Sequence, residues 1–260
     1  MKILQICQSY PPMISGAALA AARLAEGLAT EGHDVLVIAA SDRREGYSTQ
    51  NGRLRIERLP SRPNPARVNQ RFLLWPQRAI NRLIRAFNPD IIHLHEPLLL
   101  GICGLQAARS LNIPMVLTLH QLPWFVAKYT PSFWGSPIRF DWLLWQYGRW
   151  FLSQCAAVIA PAKQVATIVR QHARRTTHII PYGADLQHYP EQAKNMGLAG
   201  REISLQFSHQ ALIGRHAQLY QTICPKPRAY VAYHGRSVSV QNENAAEPTG
   251  TAVFRAMRKE

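Results

Sequence analysis

The first forty residues, MKILQICQSYPPMISGAALAAARLAEGLATEGHDVLVIAA, constrain the fold more than any other stretch of the chain. Ile3 to Cys7 and Val35 to Ala40 are short, continuous apolar runs. That pattern suits parallel strands buried on both faces. Between them Ala21, Leu24, Ala25 and Leu28 recur at helical spacing, with Arg23, Glu26 and Thr30 on the other side. Gly32 stands where a left-handed C-cap is needed. Ser15-Gly16 opens the helix beyond the carboxyl end of the first strand, and the free N–H groups of such a helix start face an anion-sized space. The reading is a β-α-β unit with a site for something phosphorylated at, or beside, Ser15 and Gly16.

The alternation continues to about residue 190. A polar loop is expected from Ser41 to Gly52, then an edge strand carrying Leu54, Ile56 and Leu59. Val68 to Phe87 reads as one helix, kinked or broken at Pro76. Strands are expected near 91–95, 115–119, 157–160 and 177–180, and helices near 98–111, 139–154 and 162–173. The prediction is an α/β fold over residues 1–190, a Rossmann-like doubly wound parallel sheet of six or seven strands. From Ala199 the periodicity fades, and residues 191–260 read as an atypical, partly disordered tail.

Charge narrows the partners. The formal net charge is +15 and the pI about 10.3, so an anionic partner is expected: phosphorylated substrate, anionic membrane or nucleic acid. No recognised RNA or DNA motif accompanies the charge, which makes nucleic acid the weak option. The first loop has no GxGxxG, which argues against a dinucleotide oxidoreductase. Cys7, Cys103, Cys155 and Cys224 have no metal or CxxC spacing and read as reduced thiols of a cytoplasmic protein. No signal peptide and no apolar run long enough to span a bilayer is seen, so a place in the cytoplasm or on the cytoplasmic membrane face is expected.

Four motifs in order carry a resemblance. Pro11, Pro12, Ser15-Gly16 and Gly32-His33-Asp34-Val35 come first. Pro89-Asp90-Ile91-Ile92-His93-Leu94-His95 and Pro114-Met115-Val116-Leu117-Thr118-Leu119-His120 follow. Ala157-Val158-Ile159-Ala160 and Ile179-Ile180-Pro181-Tyr182-Gly183-Ala184-Asp185 close the set. Together they resemble the N-terminal, acceptor-side domain of family 4 glycosyltransferases of the GT-B fold. The resemblance implies retaining transfer of a sugar from a nucleotide-sugar donor to a lipid-linked or polysaccharide acceptor, with no metal or other cofactor. It implies His120 as the catalytic group beside the reacting carbon, and Ser15-Gly16 as the loop near the donor phosphates. His95 and Glu96 then border the acceptor cleft, and Tyr182 and Gly183 begin the inter-domain hinge. Read without the family, His120 is equally a hydrogen-bonded core histidine, Ser15-Gly16 a tight turn, and Pro181 to Asp185 a structural turn. His93 and His95 share one strand face, but no third ligand is spaced to make them a metal site.

The family holds its donor in a second domain, with a Gly-Arg…Lys pair and two Glu seven residues apart. His234-Gly235-Arg236 is a faint echo, but the next Lys is Lys259, and Glu202, Glu243, Glu247 and Glu260 lack the spacing. Residues 191–260 are therefore expected to be an incomplete or degenerate C-terminal domain, from truncation, a frame change or a genuine short form. A non-catalytic acceptor- or membrane-binding module is the alternative.

Two further features point outward. Arg67, Arg71, Arg78, Arg82 and Arg85 fall on one stripe of the expected 68–87 helix, opposite Leu73, Ile80, Leu83, Ile84 and Phe87. They are expected to face an anionic membrane; the bland reading is a solvated basic face. Trp124, Phe125, Tyr129, Phe133 and Trp134 crowd the loop after His120, while Trp142, Trp145 and Phe151 read as helical core.

Overall fold

The computed structural model describes residues 1–64, 71–120, 137–183 and 207–226. The opening forms as expected. β1 (Lys2–Cys7) lies beside β2 (Asp34–Ala40) in parallel, joined by α1 (Gly16–Thr30). Ser15 caps α1 by accepting from the Ala18 N–H at 3.0 Å. The helix stops because Gly32 takes φ +90°, with the His33 and Gly32 N–H groups reaching back to the Leu28 and Ala29 carbonyls.

The chain continues through β3 (Tyr47–Asn51), β4 (Leu54–Leu59), β5 (Ser61–Pro63), β6 (Arg71–Leu73), α2 (Gln77–Phe87), β7 (Ile91–Leu94) and α3 (Leu99–Ser110). It then forms β8 (Met115–Thr118), α4 (Pro137–Ser153), β9 (Ala157–Ala160), α5 (Lys163–Ala173), β10 (His178–Ile179) and α6 (His209–Ile223). One eight-stranded sheet has the order β10-β9-β8-β7-β1-β2-β4-β3. Its strands are parallel except β3, which pairs antiparallel with β4. Alternate residues of the inner strands feed two cores. Leu4, Ile6, Leu36 and Ile38 pack under α2, α3, α4 and α5; Ile3, Val35, Val37 and Ile91 pack under α1 and α6. This is a Rossmann-like, doubly wound α/β sheet, as expected.

Three readings are corrected. β4 is not the edge, because Tyr47–Asn51, inside the supposed polar loop, covers it; that strand is almost wholly exposed and has no apolar pattern to betray it. The expected 68–87 helix begins only at Gln77. Proline disfavours helical geometry in the residue before it, and Trp75 takes φ +51°. Arg71 therefore sits in β6, not on a basic helix stripe. Its guanidinium turns inward to the Ser61 hydroxyl at 2.6 Å and the Arg43 carbonyl at 2.8 Å. Arg78, Arg82 and Arg85 are exposed on α2 above buried Ile80 and Ile84; Arg67 lies outside the described residues. Finally Trp142 is exposed, whereas Trp145 and Phe151 are buried as expected.

Helix α6 is the largest element that the sequence pattern did not announce. Leu212, Ile213, Ala217, Leu219 and Tyr220 complete the core under α1. Gly27 of α1 makes room for it, since a Cβ there would lie 1.9 Å from Ile213 Cδ1. Among the described residues no helix is long and apolar enough to cross a membrane.

Candidate functional site

The site gathers at the carboxyl end of the sheet. The strand ends of β7 and β8 deliver His95 and His120, the start of α1 delivers Gly16, and the segment after β10 delivers Tyr182 and Gly183. A cavity of about 270 Å³ is lined by Gly16, Arg23, His95, His120, Tyr182 and Gly183, together with His209 and His216 of α6. A Cβ built on Gly16 would meet nothing within 4 Å, so its backbone faces open space. The first loop is anchored from behind: the buried Arg58 guanidinium donates to the Pro11 carbonyl.

His120 is held on both sides. Its Nδ1 meets the Tyr182 hydroxyl at 2.7 Å, and its Nε2 meets His95 Nδ1 at 2.9 Å. With the tyrosine donating, the proton order runs Tyr182 to His120 to His95, leaving an N–H on His95 Nε2. That nitrogen has no hydrogen-bond partner among the described residues, and His95 is only 2% exposed. The Tyr182, His120 and His95 rings stack in sequence, 5.6 and 5.2 Å apart. Beneath them His93 stacks on His95 at 4.4 Å. His93 is fixed by the Tyr220 hydroxyl at 2.5 Å and by Thr118 Oγ1 at 2.7 Å.

Burial keeps these imidazoles neutral. Desolvation first, and the neighbouring His216 second, push His120 down to about 4; desolvation also takes His216 to about 4. Burial lowers His93 and His95 well below the ordinary range, and the surrounding histidines add to the shift. At neutral pH the cluster therefore offers directed hydrogen bonds and no net charge. Glu96 goes the other way: burial pushes its carboxyl up to about 7, against the opposing Gln8 N–H, which it accepts at 3.1 Å.

Unfolded histidines take up protons near pH 6.5, the buried ones only near 4, so stability is complete above 6.5 and is lost as pH falls towards 4. Each such histidine contributes up to about 1.4 kcal/mol per pH unit in that window. Glu96 and Glu26, whose carboxyls are raised, oppose the trend, but four histidines outweigh them. Urea melts at pH 7.0 and about 5 should show a clear loss at the lower value; equal midpoints would mean the imidazoles are not buried neutral.

The expected residues thus fall into two groups. Gly16, His95, His120, Tyr182 and Gly183 line one cavity, with Ser15 capping the helix that Gly16 opens and Glu96 following His95, whereas Arg78, Arg82 and Arg85 line neither that cavity nor its neighbour, and Arg71 is occupied internally. His216, Tyr220 and Thr118 belong to the cluster but were not singled out from the sequence. The signal existed: Leu212, Ile213, His216, Ala217 and Tyr220 repeat at helical spacing after the capping residue Ser208. Just before α2, Leu74 and Trp75 are 65% and 92% exposed.

The family model "Glycosyltransferase Family 4" matches residues 14–188, from the first loop to the segment after β10. The chain belongs to glycosyltransferase family 4. This family 4 chain is 28% identical over 207 residues to a GDP-mannose-dependent alpha-mannosyltransferase of Mycobacterium tuberculosis, covering 77% of itself and 52% of the relative. It is 27% identical over 195 residues to an alpha-monoglucosyldiacylglycerol synthase of Acholeplasma laidlawii, covering 73% and 48%. A sucrose-phosphate synthase structure from Thermosynechococcus elongatus shares the fold, with a TM-score of 0.54 at 19% identity, over 72% of this chain and 49% of that one. The family 4 chain spans about half the length of the curated relatives it matches.

Proposed function

We propose that this chain forms the acceptor-side half of a retaining glycosyltransferase, moving a hexose from a nucleotide sugar to a lipid-linked or polysaccharide acceptor. One observation carries the reading. His120 is a neutral imidazole fixed by two partners, facing the cavity that the open backbone of Gly16 also lines. The acceptor hydroxyl oxygen bonds to the anomeric carbon while the bond from that carbon to the phosphate oxygen breaks. The proton passes to the leaving phosphate. Positive charge develops on the sugar ring, and pre-oriented dipoles around it lower the barrier. His120, locked between Tyr182 and His95, is such a dipole. No step requires a metal.

A cleft of this kind needs a facing domain to hold the nucleotide and exclude water. The test is to insert the second half of the mycobacterial mannosyltransferase between Asp185 and Phe207, which keeps α6. The completed protein should transfer label from GDP-mannose to a membrane extract, at a rate at least about 10²-fold above the 260-residue chain. Robust transfer by the 260-residue chain alone would overturn the division of labour, and no transfer by a folded, nucleotide-binding completed protein would overturn the reading. A non-catalytic binding module is the second reading, favoured by the way α6 completes the core under α1.

Acceptor access is proposed at a membrane surface. Arg78, Arg82 and Arg85 present three charges from α2, and Leu74 and Trp75 stand exposed where that helix begins. Near an anionic leaflet each basic residue adds about 1 kcal/mol, and an interfacial tryptophan adds apolar burial. Replacing the three arginines with Gln should weaken binding to phosphatidylserine-containing vesicles roughly 100-fold at low salt. Trp75→Ala should weaken it further. Unchanged sedimentation with vesicles would remove this face from membrane contact.

A further inference from the structure

The family 4 reading leaves open whether the acceptor is a lipid or a sugar polymer. A second cavity, of about 130 Å³, bears on that choice. It lies on the α3–α4 side of the sheet, and its walls include Leu117, Leu119, Trp145, Phe151 and Leu152. His95 and His120 line this cavity and the larger one alike, so the two spaces share one wall. The polar groups are few: Glu96, Tyr147 and the two shared histidines stand among mostly apolar walls. Glu96 holds the Gln8 N–H with one carboxylate oxygen, and its other oxygen has no hydrogen bond among the described residues. The Tyr147 hydroxyl is already occupied by the Pro97 carbonyl.

Such a lining discriminates between acceptors. A sugar ring carries hydroxyls all around its edge, and most would be left unpaired against leucine and phenylalanine. An unpaired buried hydroxyl is costly. An alcohol on an alkyl framework has one hydroxyl and an apolar remainder, which matches a mostly apolar pocket with one carboxylate oxygen to spare beside the histidines. The volume suits about six carbons, close to that of a dry protein cavity known to accept benzene.

We infer that this cavity is a binding site for the apolar segment next to the acceptor's attacking hydroxyl, with Glu96 accepting that hydroxyl's hydrogen bond beside His120. The acceptor class is therefore a lipid alcohol, a hydroxyl borne on an alkyl or acylglycerol framework. The inference rests on the glycosyltransferase reading for its role, but its binding test does not.

The 260-residue chain is titrated with 8-bromo-1-octanol while tryptophan fluorescence is followed. Bromine near Trp145 should quench saturably, and Trp145→Phe should remove that component. Unlabelled 1-octanol should compete, and maltose should not. Gly148→Leu should weaken binding at least tenfold by filling the cavity. A Cβ at that position meets nothing nearer than Trp145 Cε3 at 4.0 Å, so the backbone accepts it. Leu144→Phe, on the same wall, should act likewise if Gly148→Leu folds poorly. Glu96→Gln keeps an acceptor for Gln8 and should weaken octanol several-fold without changing 1-bromooctane binding. Absence of saturable quenching, competition by maltose equal to that by 1-octanol, or full binding by both filled variants overturns the inference. Octanol binding without sugar transfer in the completed enzyme would defeat the glycosyltransferase reading and leave the pocket standing. Transfer to polysaccharide without octanol binding would do the reverse.

Discussion

His120→Ala in the completed enzyme should lower transfer by a factor of 10² or more while leaving nucleotide binding nearly unchanged and costing about 1–3 kcal/mol of stability, from the bond lost to buried His95. The size follows from the loss of one pre-oriented polar group at a charge-separated transition state, an effect of about 2.7–4 kcal/mol where it has been measured. The selectivity follows from position. His120 ends β8 at the sheet's carboxyl edge, and it is not one of the buried residues of either core. Its removal frees Tyr182 to rotate and leaves His95 Nδ1 facing the cavity. His120→Gln should recover part of the rate, because an amide can still bridge one of the two partners. Tyr182→Phe should cost less, since it removes an orienting bond and leaves the imidazole in place. A His120→Ala enzyme that kept more than half its rate would make the imidazole a structural group, and the two hydrogen bonds would then be packing.

The largest expected effect on stability is at Tyr220. Tyr220→Ala should destabilise the fold by about 3–5 kcal/mol, the range for deleting a large aromatic from a core. Tyr220 is fully buried, and its hydroxyl is the partner of His93 Nδ1 at 2.5 Å. Alanine leaves both a cavity and an imidazole nitrogen without its bond. Tyr220→Phe should cost only about 1–3 kcal/mol, because the packing remains and the hydrogen bond alone is lost. Denaturant melts of the two variants separate the terms. Losses within 0.5 kcal/mol of wild type, the range of ordinary surface substitutions, would mean that α6 is a passenger on the sheet. Deleting residues 207–226 should be worse than either substitution, since it uncovers the α1 side of Ile3, Val35 and Ile91.

Legibility tracked the physical origin of each element. β1, β2, β7, β8 and β9 are buried on both faces, so their apolar runs were visible in one dimension. β3 reads Tyr-Ser-Thr-Gln-Asn and is held by its backbone pairing with β4, which leaves no side-chain pattern to detect. Arg71 joins a stripe of arginines that projects well on a helical wheel, although it lies in a strand. Pro76 sets the true boundary, and the Ser61 and Arg43 partners come from chain that only the fold brings near. His95 and His120 were legible because each closes an apolar strand at its carboxyl end, within a motif that resembles the family's. Their stacking on one another depends on register between neighbouring strands, which one strand's sequence does not contain. α6 was obscured because its apolar stripe includes a buried histidine and an internal glycine, His216 and Gly214.

The contact between Gly183 and α6 has a consequence for chain length. A Cβ on Gly183 would lie 2.7 Å from His209 Nδ1 and 2.9 Å from His209 Cα, so the chain departs and returns at nearly one point. A closed stem of that kind makes the fold indifferent to what hangs from it. The entropy of joining two adjacent ends grows only logarithmically, by about 0.6 kcal/mol for each doubling of the excursion. A whole domain and a few dozen residues are then near-equivalent cargoes for residues 1–183 and 207–226. The same stem would let that segment be lengthened, shortened or exchanged between proteins with little penalty to the sheet that carries the histidines.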